Sequence, residues 1–315
     1  MLSIGPERPA LADELRRASN ASGGWSYYPG KASRVEPTCW AMLALSANRA
    51  AQAPETGSVH RDFLGRCQRP EGWLVEDPRW PVNISFNALA AVTWLTHPDL
   101  AAVDKVQRLL SALMGSKGVQ VPPSPSFAQD NSLQAWSWTD ATFSWVEPTA
   151  WGAFALKKAT RAGLVSETAS RGRIQEADRL LVDRCGRAGG WNFGNPNVLG
   201  QELFPHVPTT ALALLALQDR RDEPAVVRSL AFLESHWADE PSMMALGLSL
   251  ICLSVYGRPI EPLEIRLRGH VAERQRQAQA GSGDAPTVEI LSNRHSLAVA
   301  LAALSIRDHD ATFRI

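Results

Sequence analysis

The segment GGWSYYPGKASRVEPTCWAMLAL, residues 23–45, runs in a fixed order. A Gly-Trp turn is followed by a polar loop, a Glu-Pro-Thr step and an apolar stretch. The same order returns in WSWTDATFSWVEPTAWGAFAL, residues 136–156, and in GGWNFGNPNVLGQELFPHVPTTALALLAL, residues 189–217. Self-similarity at intervals of tens of residues marks an architecture of stacked supersecondary units. The apolar stretches align as TCWAMLAL from Thr38, TAWGAFAL from Thr149, TALALLAL from Thr210 and SMMALGLS from Ser242. Poorer copies start at Ser85 and Ser296, which brings the count to six.

Six amphipathic segments alternate with them, at 11–19, 60–67, 104–114, 174–185, 226–237 and 263–277. Their apolar residues recur at helical spacing, as Ala177, Leu180 and Leu181 do. A helix that is apolar on every side must be buried, whereas an amphipathic one covers it. The expected fold is therefore all-α: an (α/α)6 toroid of six inner and six outer helices, forming a single domain over residues 1–315. Gly at the turn permits a positive φ where an outer helix ends, and the Trp packs between helix pairs. Glu-Pro-Thr opens the inner helix, with Pro at its first position and a carboxylate at the positive end of its dipole.

Bulk composition excludes several classes of function. The chain has 315 residues, 45% hydrophobic and 20% charged, with 32 basic and 32 acidic side chains. Zero net charge argues against nucleic acid as a partner. No apolar run reaches the roughly 20 residues of a membrane span. The N-terminal MLSIGPERPALADELRR has no apolar signal core. A cytoplasmic protein is expected, with peripheral membrane contact left open. Cysteines stand at 39, 67, 185 and 252, without the close pairing of a zinc or redox site. Cys67 and Cys185 fall at matching places just ahead of a Gly-Trp turn. No metal and no cofactor is expected.

RSLAFLESHW (228–237), RDFLGRCQRPEGW (61–73) and LLVDRCGRAGGW (180–191) resemble the QW repeats of squalene–hopene and oxidosqualene cyclases, with Cys185 where Gln is usual. Protein prenyltransferase β subunits are similar in their toroid. The resemblance covers nearly the whole chain and implies an isoprenoid-handling toroid, a reduced class II cyclase-like enzyme protonating a polyprenyl substrate. It places the cyclases' proton-donating aspartate on Glu147 and their Thr-Ala on Thr149 and Ala150. It places the prenyltransferases' zinc-binding Asp and Cys on Glu147 and Thr149, and a threonine cannot replace a thiolate on zinc. The chain also lacks an Asp-x-Asp-Asp before any apolar helix. The activity implied is thus terpenoid cyclase- or prenyltransferase-like, with an atypical or lost active site. The alternative is a non-catalytic toroid that holds a lipid or peptide in its central cavity.

Two readings of Glu147 follow. Glu-Pro recurs at Glu36 and Glu240, as a helix-capping device would. A carboxyl among Trp136, Trp138, Trp145 and Trp151 would also be a general acid, and aromatic faces would stabilise the carbocation it makes. Asp140, in the same loop, is its expected partner. Trp138, Trp145, Trp151, Glu36, Trp40 and His206 are the expected substrate contacts, around a hydrophobic small molecule or lipid in the central cavity. His206 takes Trp145's place in the fourth repeat. His295, beside Arg294, reads as a packed histidine. Two loops are candidate lids, at 118–134 and 279–287.

Overall fold

A computed structural model describes residues 7–47, 56–97, 103–124, 126–280, 293–307 and 310–315. Twelve α-helices run through them. The outer members are α1 (Glu7–Arg17), α3 (Thr56–Cys67), α5 (Val103–Gly115), α7 (Glu167–Asp183), α9 (Pro224–His236) and α11 (Glu261–Ala280). The inner members are α2 (Val35–Ala47), α4 (Ile84–Thr96), α6 (Val146–Arg161), α8 (Val207–Ala216), α10 (Met243–Val255) and α12 (Arg294–Leu304). Burial separates the two sets: ten of the 13 residues of α10 are buried but only four of the 13 of α5. The one sheet among the described residues is a hairpin of β1 (Asn197–Val198) and β2 (Gln201–Glu202).

The chain divides into two compact units, Met1–Arg66 with Glu240–Thr312, and Cys67–Asp239 with Phe313–Ile315. In the first, α12 packs between α2 and α10, and α1 and α11 cover them. In the second, α6 packs between α4 and α8, with α5, α7 and α9 outside.

One joint recurs in both units. The indoles of Trp25, Trp136 and Trp191 are almost fully buried. Each donates its N–H to a carbonyl near the end of the preceding outer helix, Leu15, Leu113 and Leu181, at 2.6, 2.9 and 2.6 Å. The backbone N–H of each Trp donates to the hydroxyl of Thr38, Thr149 or Thr210 on the following inner helix, at 2.9, 3.3 and 2.9 Å. The same hydroxyls donate back to the Trp carbonyls at 3.3–3.4 Å. So the Thr of Glu-Pro-Thr closes the turn, and the Trp bolts that turn to the outer helix. Gly23 and Gly189 have positive φ, and a Cβ on either would strike the backbone of the next outer helix.

Four expectations are corrected here. In the second repeat Trp73 is only half-buried, and Leu74 fills the Trp place, with Asn87 exchanging both bonds with its backbone at 2.7 and 3.0 Å. A single Gly, Gly72, occupies the place of Gly23 and Gly189, so the inward residue comes one position later. Gln68 rather than Cys67 matches Cys185. Gln68 Nε2 donates to the Lys105 carbonyl at 2.8 Å, and Cys185 lies 3.9 Å from the corresponding Ala225 carbonyl. Glu240-Pro241 does not open a helix. Ser242 caps α10 instead, its hydroxyl accepting the Ala245 N–H. In α2 and α6 the helix begins one residue before the Glu, which puts Pro37 and Pro148 third rather than first, still where the N–H has no intrahelical partner.

The other end of α6 is held by charge. Lys157 Nζ, almost wholly buried, lies 2.9 Å from Asp178 of α7 and 2.7 Å from Asp219, and donates to the Ala216 carbonyl at 2.8 Å. The approach to Asp178 is off the hydrogen-bonding axis. Burial pushes the Asp178 carboxyl above the ordinary range, against the pull of Lys157. In the first unit, the His60 ring lies tilted against Trp25 at 4.0 Å, and its Nδ1 accepts the Gly24 N–H at 2.9 Å. Burial lowers its pKa from 6.5 to about 4.

Three stability measurements test these assignments. Thr210→Val leaves the buried Trp191 N–H without an acceptor and should cost about 1–3 kcal/mol in denaturant unfolding, whereas Thr210→Ser should cost much less. Equal losses would mean that the methyl, not the hydroxyl, matters. Lys157→Met leaves the Asp178 carboxylate with Arg220 alone, 3.4 Å away, and should cost about 1–3 kcal/mol. Adding Asp178→Leu should recover most of that, and additive losses would refute the pairing. His60, with a depressed folded pKa, contributes stability that is present above pH 6.5 and lost as pH falls towards about 4. The wild-type stability curve should drop more steeply in that window than that of His60→Ser, and parallel curves would rule out His60 as the cause.

Candidate functional site

The loops between the joint residues all meet the inner helices at their N-terminal ends. In three repeats the residue two places after the joint Trp is aromatic: Tyr27, Trp138 and Phe193. Each turns its carbonyl to the first N–H of a neighbouring inner helix. Tyr27 accepts from Arg294 of α12, Trp138 from Ile84 of α4 and Phe193 from Val146 of α6, at 2.9 Å in every case. The first N–H groups of a helix have no partner within it, so these bonds satisfy orphan donors. They also hold an aromatic side chain at the mouth of each helix pair.

In the second unit this makes a crown. Trp145 is the N-cap residue of α6 and uses no side-chain cap bond, so its indole is free to project. Phe143 stacks on it at 4.3 Å. Gly194 lies beneath it, where a Cβ would come within 3.1 Å of the ring. His206, the N-cap of α8, stands at the equivalent place and meets Phe193 edge-on at 4.6 Å. Phe193 is 50% exposed; Trp138, Trp145 and His206 are half-buried.

Glu147 is the second residue of α6 and half-buried. Ser85, at the corresponding position of α4 and itself buried, donates its hydroxyl to Glu147 Oε1 at 3.3 Å. The carboxyl thus reaches sideways to the neighbouring inner helix. Asp140 is exposed in the turn that precedes Ala141, which has a φ of 61°. No hydrogen bond among the described residues joins Asp140 to Glu147. Trp151 is 5% exposed and packs on Phe154. Trp136, expected beside Glu147, is instead a joint residue, fully buried with the Arg173 guanidinium 4.2 Å over its ring.

In the first unit, Glu36 is likewise the second residue of its helix, α2. It accepts the Tyr27 phenol and lies 3.7 Å from His295 Nε2 of α12. Trp40 is 2% exposed and stands 6.2 Å from the His295 ring. Tyr27 lies near Glu36 in the sequence; sequence reasoning missed Ser85, Phe143, Phe193 and the coupling of His295. The repeated Trp-x-aromatic spacing was the signal for Phe193.

The described residues of the 118–134 loop are tied down. Val119 pairs with Phe143, Phe127 pairs with Val198 of the hairpin, and Gln129 Nε2 donates to Asn195 Oδ1 at 2.7 Å. Residues 281–287 of the other candidate lid lie outside the described residues. A cavity of about 420 Å³ opens beside α7, but its walls include Asp130, Asp178, Asp183, Arg179, Arg220 and Glu223. Such walls do not suit an apolar ligand. Among the described residues no three His, Cys, Asp or Glu side chains converge on a metal position, and no helix is long and apolar enough to cross a membrane.

Comparison of the whole fold with solved structures finds the type II terpene cyclase MstE from Scytonema, at 16% identity and a TM-score of 0.60. The match covers 96% of this chain and 97% of that one. The fold is the α/α toroid. A variant of MstE bound to its substrate, geranylgeranyl dihydroxybenzoate, matches this toroid at 15% identity and a TM-score of 0.58, over 96% and 97% of the two chains. A glycosidase matches at 10% identity and a TM-score of 0.57, over 98% and 97%. These likenesses establish the toroid and not its chemistry. No protein-family model and no curated protein matches the sequence.

Proposed function

We propose that the chain handles a polyprenyl substrate at the aromatic crown of α4, α6 and α8, and that Glu147 is the general acid. The observation that carries this reading is the Glu147 carboxyl, half-buried and accepting from Ser85 at the start of α6, the helix that Trp145 caps and whose first N–H is held by the Phe193 carbonyl. A carboxylic acid there would deliver its proton to a terminal alkene or epoxide, leaving a tertiary carbocation. Aromatic faces attract such a cation by about 0.5–2 kcal/mol each. Asp140, exposed in the same loop, would restore the proton from solvent. Trp151 and His206, of the same unit, remain proposed substrate contacts. The MstE complex supports the substrate class, because a toroid of the same size there holds a geranylgeranyl chain.

A second reading is a toroid that binds such a ligand without turning it over. It is favoured by Glu36, which occupies the place of Glu147 in another repeat and so makes the Glu part of the repeat.

The test is incubation of the purified chain with geranylgeranyl-bearing and shorter polyprenyl substrates, with products read by mass spectrometry. Cyclised product is expected, and Glu147→Gln should lower its rate by about 100-fold or more while ligand quenching of tryptophan fluorescence persists. Quenching without product in the wild type would select the binding reading. Absence of both would remove isoprenoids from consideration.

A further inference from the structure

The first unit carries a second built site, centred on His295. Its Nε2 faces Glu36 Oε1 at 3.7 Å, within ion-pair reach but longer than a hydrogen bond. The other carboxylate oxygen accepts the Tyr27 phenol, so Glu36 is anchored on both sides. A carboxylate offers only lone pairs, so it favours the imidazole tautomer that turns N–H towards it. The remaining nitrogen, Nδ1, is then a lone-pair acceptor, and no residue among those described bonds to it. Tyr27 meets the imidazole edge-on at 6.1 Å and the Trp40 ring stands tilted 6.2 Å away, so two aromatic rings flank the histidine's surroundings.

The surrounding charges select the ligand. Glu36 disfavours an anion. Arg294, the residue before His295, disfavours a cation, and its guanidinium is already turned to Ser26 Oγ at 2.8 Å. Asn293 is committed too, its Oδ1 capping α12 at Ser296 N and its Nδ2 donating to the Tyr28 hydroxyl at 3.3 Å. What the site lacks is a neutral donor with a flat apolar body. We propose that His295, oriented by Glu36 and Tyr27, is a binding site for a neutral hydroxylated ring, a phenol or similar alcohol, whose O–H donates to Nδ1. His295 is the contact residue; Glu36 and Tyr27 are positioning residues. The proposal does not rest on the reading of Glu147.

The test is long-range 1H–15N NMR of the imidazoles in the full-length chain, with His295 assigned through His295→Gln and with phenol as the probe. The expected wild-type spectrum is that of the Nε2–H tautomer, and phenol should move the His295 Nδ1 resonance saturably while toluene does not. The same titration should hold in Glu147→Gln, so a failure of the cyclase reading leaves it intact. Glu36→Gln should lower the fraction of the Nε2–H tautomer and weaken phenol about tenfold. Tyr27→Phe, which keeps the ring and the fold, should move both in the same direction by less. An Nδ1–H tautomer in the wild type, no saturable response to phenol, or an equal response to toluene would overturn the proposal.

Discussion

The hydroxyl of one threonine in each of three repeats makes the rest of this structure possible. A toroid repeat must turn the chain from an outer helix into a fully apolar inner helix, and the turn is buried. Its backbone groups therefore need partners that do not come from water. Thr38, Thr149 and Thr210 supply them by accepting from the Trp backbone N–H and donating to its carbonyl, while the indole ties the turn to the outer helix. Asn87 meets the same need with an amide, which offers a donor and an acceptor at once. The chemistry of the partner matters and its identity does not.

The fold was legible because both halves of this arrangement leave marks in the sequence. A helix buried on all sides must be written as a continuous apolar run, and an outer helix as a striped one. The register was less legible. Two Gly before Trp25 and Trp191, but one before Trp73, look like the same turn until the backbone shows which residue takes the positive φ. Glu240 failed for a similar reason. Its Pro is followed by Ser, a strong helix cap, and the cap moved the helix start past the Glu.

The mouth was only half legible. Glu147, Trp145 and His206 could be placed because they sit at fixed offsets from the joint threonine. The coupling of His295 could not, because its neighbour Glu36 belongs to another repeat. The Tyr27 carbonyl reaches back to α12, and this is what brings His295 of the last repeat beside Glu36 of the first. Spacing within one repeat cannot announce a contact made across two. The Glu-Pro step that opens α2 and α6 is also missing ahead of α12, where Arg294 and His295 stand instead.

The joint also explains where this chain can vary. Its two members are 13 residues apart in three repeats and 19 apart in the fourth, yet the bonds that close them keep the same geometry. A closed turn isolates the helices from whatever lies between its ends, so an insertion there costs only the slow growth of loop entropy. The longer fourth loop uses its extra residues for the hairpin, and it carries Phe193, Leu199, Leu203 and Phe204 exposed around it. The opposite end of α6 allows nothing of the kind, because the buried Lys157 ammonium must find two carboxylates and a carbonyl at fixed distances. One end of the helix pair is thereby committed to stability. The other is free to be rebuilt around a ligand, and the exposed apolar surface of the second unit's mouth collects on the longest of its joint loops.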